Sequence, residues 1–475
     1  MTRRRVLGVA LLAVIVAAVG CSSPYRERIR RPIDTSGWTP TGASEEGAGG
    51  PGNPGIDNPA EVVRGPDGSY PIDLATVLRL AGGQAIIVEM ARAQAGIAAS
   101  EEEIVLAQWF PVAGPRVAFT RIGGLVQGTE GDFVNVGKQN MFLGAGVEWR
   151  VNPAATWYAA LAARRLTEAH VHQITATGHA VLREAARRYY ALVQAHAKLE
   201  IARRTLKAAQ ELVVFATSRE RLGVGLRSEV LRALARVRQT EGLIAKATRD
   251  GAIASVRLVE LLMLKDDVRL VPGEATARRV AFVDPNTALT QLFERALGNR
   301  PDLAAARARV SAAEEAQNVA DRAWLWPALA ARGAGGAFGQ NPGRFQDSET
   351  FYVGLEWQIS PAIPSRQRRA ESNRKLANLA LTHAARQVRR DIQEALARIK
   401  AAEAEHAAAT QEVAAAREAL QLARVQFERG EGLLLAVLDL EAALVRAETA
   451  QADAVLDLNR GHYDLLFAVG GPAAR

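Results

Sequence analysis

The sequence predicts a mainly helical protein with long coiled helices and a small membrane β-barrel, built from two internal structural repeats. Three observations carry this prediction. Ala, Leu, Arg and Glu dominate the 475 residues while aromatics reach only 5 %, a balance typical of long or coiled helices. Two short stretches instead alternate with period two, the mark of a strand with one oily face. In one, Leu143, Ala145, Val147, Trp149 and Val151 are apolar; in the other, Phe351, Val353, Leu355, Trp357 and Ile359 are. Finally, the chain is written twice. QWFPVAGPRVAF (108–119) pairs with WLWPALAARGAGGAF (324–338), FLGAGVEWRVNP (142–153) with FYVGLEWQISP (351–361), and RLGVGLRSEVL (221–231) with ERGEGLLLAVL (428–438). An offset of 207 relates Gly223 to Gly430, and one of 208 relates Trp149 to Trp357. Duplication of one unit explains both.

The elements follow in order. Arg3, Arg4 and Arg5 precede an apolar run, VLGVALLAVIVAAVG, and then Cys21. That run is short for a membrane span and fits a secretory signal. Ala18-Val19-Gly20-Cys21 resembles a bacterial lipoprotein processing site, so Cys21 is the candidate for lipidation. It is the sole cysteine and cannot form an internal disulfide. Ser22 is not the aspartate associated with inner-membrane retention, which points to the outer membrane. Residues 22–70 are rich in Gly, Pro and charge and have no apolar periodicity, as in a disordered or surface-hugging tether. The expected organisation is a signal peptide (1–21), the tether (22–70), a first repeat (71–287) and a second (288–475). The net charge is +8, part of it in the signal segment. The rest of the basic residues interleave with acids along helices, which argues against nucleic-acid binding.

Within each repeat, proline supplies the borders. Pro111 and Pro327 precede the first strands, and Pro153 and Pro361 follow the second ones. Opening helices are expected at about 74–109 and 302–325. Long helices from about Ala154 to Arg221 and Ser365 to Arg429 are uninterrupted by proline, and at about 1.5 Å per residue each is close to 100 Å long. Return helices follow at about 226–264 and 433–467. Leu192, Ala195, Leu199, Ala202, Leu206, Ala209, Val213 and Ala216 step by three and four, a coiled-coil seam. The offset of 207 carries them onto Ile399, Ala402, His406, Ala409, Val413, Ala416, Leu420 and Ala423. His406 is the polar intruder, as expected of a register or solvated position.

Strands of about ten residues suit a tilted bilayer crossing, and Trp near a strand end suits an aromatic girdle. The candidate lipid face comprises Val147, Trp149, Phe351, Val353, Leu355 and Trp357. The first strand of each repeat is less clear, since Arg121 interrupts its alternation and 328–338 alternates weakly. A half-buried sheet in a soluble domain is the alternative, but the rods are too long to wrap back over four strands. Four strands cannot close a barrel, and open edges are not tolerated in lipid. The barrel must be shared: two chains give eight strands, three give twelve and leave a lumen.

No catalytic constellation emerges. His170, His172 and His179 lie near one another, but i and i+2 fall on different helix faces and no cysteine or tight carboxylate cluster completes a metal site. No phosphate loop or nucleophile elbow is present. The chain is therefore not expected to be an enzyme, to hold a metal or to need a cofactor. Gly223, Gly225, Gly430 and Gly432 instead mark backbone reversals, where positive φ is expected.

Taken together, the duplicated helix–strand–strand–helix unit, the border prolines and the glycine turns resemble the TolC-like outer-membrane efflux family over about residues 71–470. The family's apolar-Asp-Gly-Gly run after the fourth strand is replaced here by SPAIPSRQRR. The resemblance implies a homotrimer with a 12-stranded barrel in outer-membrane lipid and a helical barrel in the periplasm. It implies a passive exit duct for small molecules, served by a periplasmic adaptor protein and an inner-membrane pump. The tip motif is matched by Val224-Gly225-Leu226, with Gly432-Leu433 in the second repeat; an ungapped comparison puts Gly223 and Gly430 at the turn instead. Of the carboxylates that ring the closed pore in the family, Asp439 occupies one position and Ala436 another. Glu229, equivalent to Ala436 by offset, can supply an acid from the first repeat. Two alternatives stand beside the efflux channel: the exit duct of a type I secretion system, and a lipid-anchored coiled-coil scaffold without a pore.

Overall fold

The computed structural model describes residues 23–39, 68–127, 129–265, 267–273 and 279–471. The expected signal peptide, Cys21 and residues 40–67 of the expected tether lie outside the described residues. The elements are α1 (Arg26–Arg30), β1 (Ser69–Ile72), α2 (Leu74–Gln84), α3 (Ile86–Ala107), β2 (Val112–Gln127), β3 (Phe133–Val151) and α4 (Pro153–Arg221). They continue with α5 (Arg227–Leu261), β4 (Arg269–Pro272), α6 (Leu289–Asn299), α7 (Pro301–Arg322), β5 (Ala328–Gly339), β6 (Gln346–Glu356), α8 (Ile363–Glu428) and α9 (Leu434–Ala468).

Local chemistry sets the borders. The Asp73 carboxylate accepts the Thr76 N–H at 3.3 Å and caps α2. Asn152 accepts the Ala155 N–H at 2.9 Å, while Pro153 takes the first helical position of α4, where its missing donor costs nothing. The Asn152 amide also donates to the carbonyls of Ala323 and Trp326 at 2.9 and 2.8 Å, tying the start of α4 to the turn before β5. The opening helix expected over 74–109 is broken at Ala85, whose backbone is extended. Gly82 and Gly83 weaken that last turn, and an added Cβ at Gly82 would lie 2.5 Å from the Thr35 methyl.

The chain forms two compact units, each drawing segments from both halves of the sequence. The first (residues 1–30, 92–172 and 304–382) contains an antiparallel sheet of order β2-β3-β5-β6. Its first hairpin is longer than the expected ten residues: β2 has 16 and β3 has 19. Arg121 does not end the first strand, because it pairs with Gln139 inside an unbroken ladder; backbone bonding continues where the oily alternation stops. Also in this unit, the Ser23 hydroxyl donates to Glu102 at 2.9 Å, and the Ser23 N–H and Arg26 both donate to Glu103, at 2.9 and 2.6 Å.

The second unit (residues 31–91, 173–303 and 383–475) holds the coiled-coil seam. Leu192, Ala195, Leu199, Ala202, Ala209 and Ala216 of α4 are buried, as are Ile399, Ala402, Ala409, Val413, Leu420 and Ala423 of α8. Strands β1 and β4 pair in parallel beside the helices. Residues 31–39, read as tether, hold a fully buried Trp38. Its ring lies 5.4 Å from His179 and 6.5 Å from Tyr463, whose hydroxyl donates to the Trp38 carbonyl at 2.7 Å. One anchored indole buries enough apolar area to order a segment whose composition says otherwise.

Candidate functional site

Two helix reversals in the second unit are built alike. α4 ends with Gly223 at φ +74°, and α8 ends with Gly430 at φ +82°. The Gly223 N–H donates to the Glu220 carbonyl at 3.0 Å and the Val224 N–H to the Arg219 carbonyl at 3.1 Å. In the second turn, Gly430 donates to Phe427 at 3.1 Å and Glu431 to Gln426 at 2.9 Å. These paired bonds close a Schellman turn, which requires a left-handed residue just past the helix end. Gly225 and Gly432 do not have the positive φ expected of them; their role is close approach. A Cβ at Gly225 would lie 2.9 Å from Arg219 Cβ and 3.0 Å from the Glu220 nitrogen, and one at Gly432 would lie 2.9 Å from the Phe427 nitrogen. Both candidate registers of the tip glycine therefore have a structural job, one torsional and one steric.

The turns present an oily end. Leu222, Val224, Leu226 and Leu433 are each at least 66 % exposed. Behind them Phe427, Leu420, Ala423, Leu434, Val437 and Ala233 form a buried cluster. Arg219 joins the two turns: its guanidinium donates to the Phe427 carbonyl and sits 4.7 Å above the Phe427 ring.

The expected gate carboxylates differ in their surroundings. Asp439 is exposed on α9. Glu229 sits in the first turn of α5, where its side chain accepts the Leu226 N–H at 3.3 Å and so caps the helix. The carboxylate that sequence reasoning missed is Glu441, which is buried. Arg424 reaches it at 3.2 Å and Arg236 at 3.8 Å. Burial pushes the Glu441 carboxyl above its ordinary range, against the pull of Arg236 and Arg424. A signal was present: Leu434, Val437 and Glu441 step by three and four, so the acid falls on an apolar seam. Of the histidines, His179 is pushed down to about 4, chiefly by burial beside Trp38.

The sheet sorts its side chains by parity, because every ladder pair joins odd with odd or even with even. Val147, Trp149, Phe351, Val353 and Leu355 share the odd face with Val117, Phe119 and Leu143, and most of these are exposed. Trp357 lies one residue beyond β6 and is 55 % exposed. The Trp149 indole donates to the Trp109 carbonyl at 3.2 Å. The even face carries two ion pairs, Arg332 with Glu148 at 3.2 Å and Arg150 with Glu356 at 3.0 Å, while Arg121, Asp347 and Glu349 stand on the odd face, away from its Val353–Leu355 end.

Residues 292–471 match the family model described as outer membrane efflux protein. Three solved structures share the fold. The outer-membrane channel OprN is 22 % identical, with a TM-score of 0.72 over 84 % of this chain and 90 % of that one. The Campylobacter jejuni CmeC outer membrane channel is 15 % identical, with a TM-score of 0.73 over 84 % of this chain and 85 % of that one. The open state of the Neisseria gonorrhoeae MtrE outer membrane channel is 19 % identical, with a TM-score of 0.68 over 84 % of this chain and 89 % of that one. No curated protein sequence matches the chain.

Proposed function

We propose that the chain, whose residues 292–471 match the outer membrane efflux protein model, is the outer-membrane channel of a tripartite efflux pump, a passive exit duct for small molecules. Members of the family are channels rather than enzymes. The observation that carries the proposal is the two-faced sheet. Phe351 is 82 % exposed, and Val353, Leu355 and Trp357 are each more than half exposed, an oily patch that water does not tolerate uncovered. Lipid covers such a face, and an open edge in lipid must be paired. Three copies supply twelve strands, enough to leave an aqueous lumen lined by the charged even face.

The remaining roles are proposed on the same basis. Val147, Trp149, Phe351, Val353, Leu355 and Trp357 contact outer-membrane lipid, and Cys21 carries a lipid anchor. The 69 residues of α4 make a rod of about 100 Å, which suits a duct reaching through a periplasmic space. The turns built on Gly223, Gly225, Gly430 and Gly432 receive a periplasmic adaptor protein, whose apolar residues cover Val224, Leu226 and Leu433. An inner-membrane pump supplies the energy. Asp439 lines the pore at the tip, with Glu229 dividing its charge between that pore and its helix cap.

The test is conductance. Purified full-length oligomers reconstituted in planar bilayers are expected to open discrete, long-lived channels. Heat-resistant oligomers that insert yet pass no current would leave only a lipid-anchored scaffold and overturn the proposal.

A further inference from the structure

At the foot of the sheet, in the first unit, stands a group of cations that a neutral duct does not require. A cavity of 510 Å³ is lined by Arg150, Arg366 and Arg369, together with Glu356, Gln358 and Asn152. Arg366 and Arg369 come from the first two turns of α8. Cations there oppose the positive end of the helix dipole, so helix stability does not explain them. Nor does local pairing. Among the described residues, Glu356 is the one carboxylate in the cavity wall, and Arg150 already holds it at 3.0 Å. Arg366 and Arg369 thus face the cavity with no acid of its wall left to neutralise them.

Ladder parity says which face of the sheet borders the cavity. Arg150 and Glu356 both belong to the even face, the face turned from the oily one. Charges along that face lean the same way: Arg116, Lys138, Arg150 and Arg332 stand against Glu148 and Glu356.

We infer that this cavity is an anion-binding vestibule in the wall of the duct, and that the solutes the channel favours carry carboxylate or phosphate groups. The inference rests on the channel reading above and names its substrate class. Guanidinium groups match planar carboxylate and phosphate oxygens two at a time, as ammonium groups do not. Copies of the chain arranged around one lumen bring their unpaired arginines to the same level. A cleft of one sign with low-dielectric walls concentrates counter-ions.

Tripolyphosphate is the probe, added to single channels of the full-length protein at low ionic strength, where such fields are least screened. It is expected to block the wild-type current reversibly. The double variant Arg366→Gln/Arg369→Gln should raise the half-blocking concentration by about tenfold or more, and Arg366→Lys/Arg369→Lys, which keeps the charge but loses the two-point fork, should raise it by less. Glu356→Gln frees Arg150 and should lower that concentration, which keeps the inference testable if the glutamine pair fails to assemble. Equal block in wild type and the glutamine pair would overturn the vestibule while leaving the duct intact. So would a conducting wild type that tripolyphosphate does not block, or weaker block after Glu356→Gln. Loss of all conductance in the wild type would overturn duct and vestibule together.

Discussion

Replacing glycines at the tip one at a time separates torsion from close approach. At Gly223, φ is +74° and an added Cβ meets nothing within 4 Å. Gly223→Ala therefore incurs the left-handed penalty alone, about 1–2 kcal/mol, and leaves the shape of the turn intact. Gly225 is the opposite case. Its added Cβ lies 2.9 Å from Arg219 Cβ, 3.0 Å from the Glu220 nitrogen and 3.1 Å from the Arg219 carbonyl carbon. Two of those neighbours are backbone and cannot swing aside, so the turn must move away from α4. The bonds from Val224 and Gly225 to the Arg219 carbonyl, at 3.1 and 3.0 Å, stretch or break, which costs about 1–3 kcal/mol for the pair. Leu222, Val224 and Leu226 are exposed and give the shifted turn nothing to repack against. Hydrogen exchange over 219–226 should accelerate in both variants, by about five- to thirtyfold in Gly223→Ala and by up to about a hundredfold in Gly225→Ala. Cross-linking to the adaptor and export of a substrate dye should fall only in Gly225→Ala. Heat-resistant oligomers should persist in both, because the sheet belongs to the other unit. Wild-type exchange and export in Gly225→Ala, with both lost in Gly223→Ala, would refute the assignment of the two roles.

Three further outcomes follow from the same geometry. Val353→Arg on the odd face should cost about 2–4 kcal/mol of barrel stability near the bilayer midplane, while Thr350→Arg on the even face is tolerated; urea titration of folded protein in lipid vesicles checks the pair, and equal costs would sink the assignment of faces. Glu441→Ala leaves Arg236, whose side chain is 10 % exposed, buried opposite no carboxylate, and should cost about 3–5 kcal/mol; a thermal unfolding shift worth less than about 1 kcal/mol would show the pair to be idle. His179 is held at about 4 rather than its ordinary 6.5, by burial against the weaker pull of Asp302 and Asp34 and with Arg300 opposing the proton. Its folded-state value is the lower one, so the unfolded chain binds the extra proton first, and stability is lost as pH falls from 6.5 toward 4. The loss amounts to about 3 kcal/mol, and denaturant midpoints at pH 7 and pH 4 should converge in His179→Gln relative to wild type.

What could be read without coordinates was whatever neighbouring residues decide among themselves. Period-two alternation placed β3 and β6, because a strand shows its face every second residue. Prolines bounded the helices, and steps of three and four placed the seam from Leu192 to Ala216, because an amphipathic helix advertises its buried stripe. Glycine positions marked the reversals, but not which glycine turns and which makes room: φ at Gly223 and crowding at Gly225 depend on how the Arg219 carbonyl is approached. The first hairpin ran past Arg121 because a ladder bonds through backbone, which composition does not report. Tertiary structure alone decided the rest. Trp38 meets Tyr463, Arg236 and Arg424 meet Glu441, and Arg150 shares a cavity wall with Arg366 and Arg369. Local stepping places Glu441 on a seam, but which partners meet it there, and that Trp38 is covered by a residue 425 positions away, is set by the packing of distant segments that no local pattern encodes.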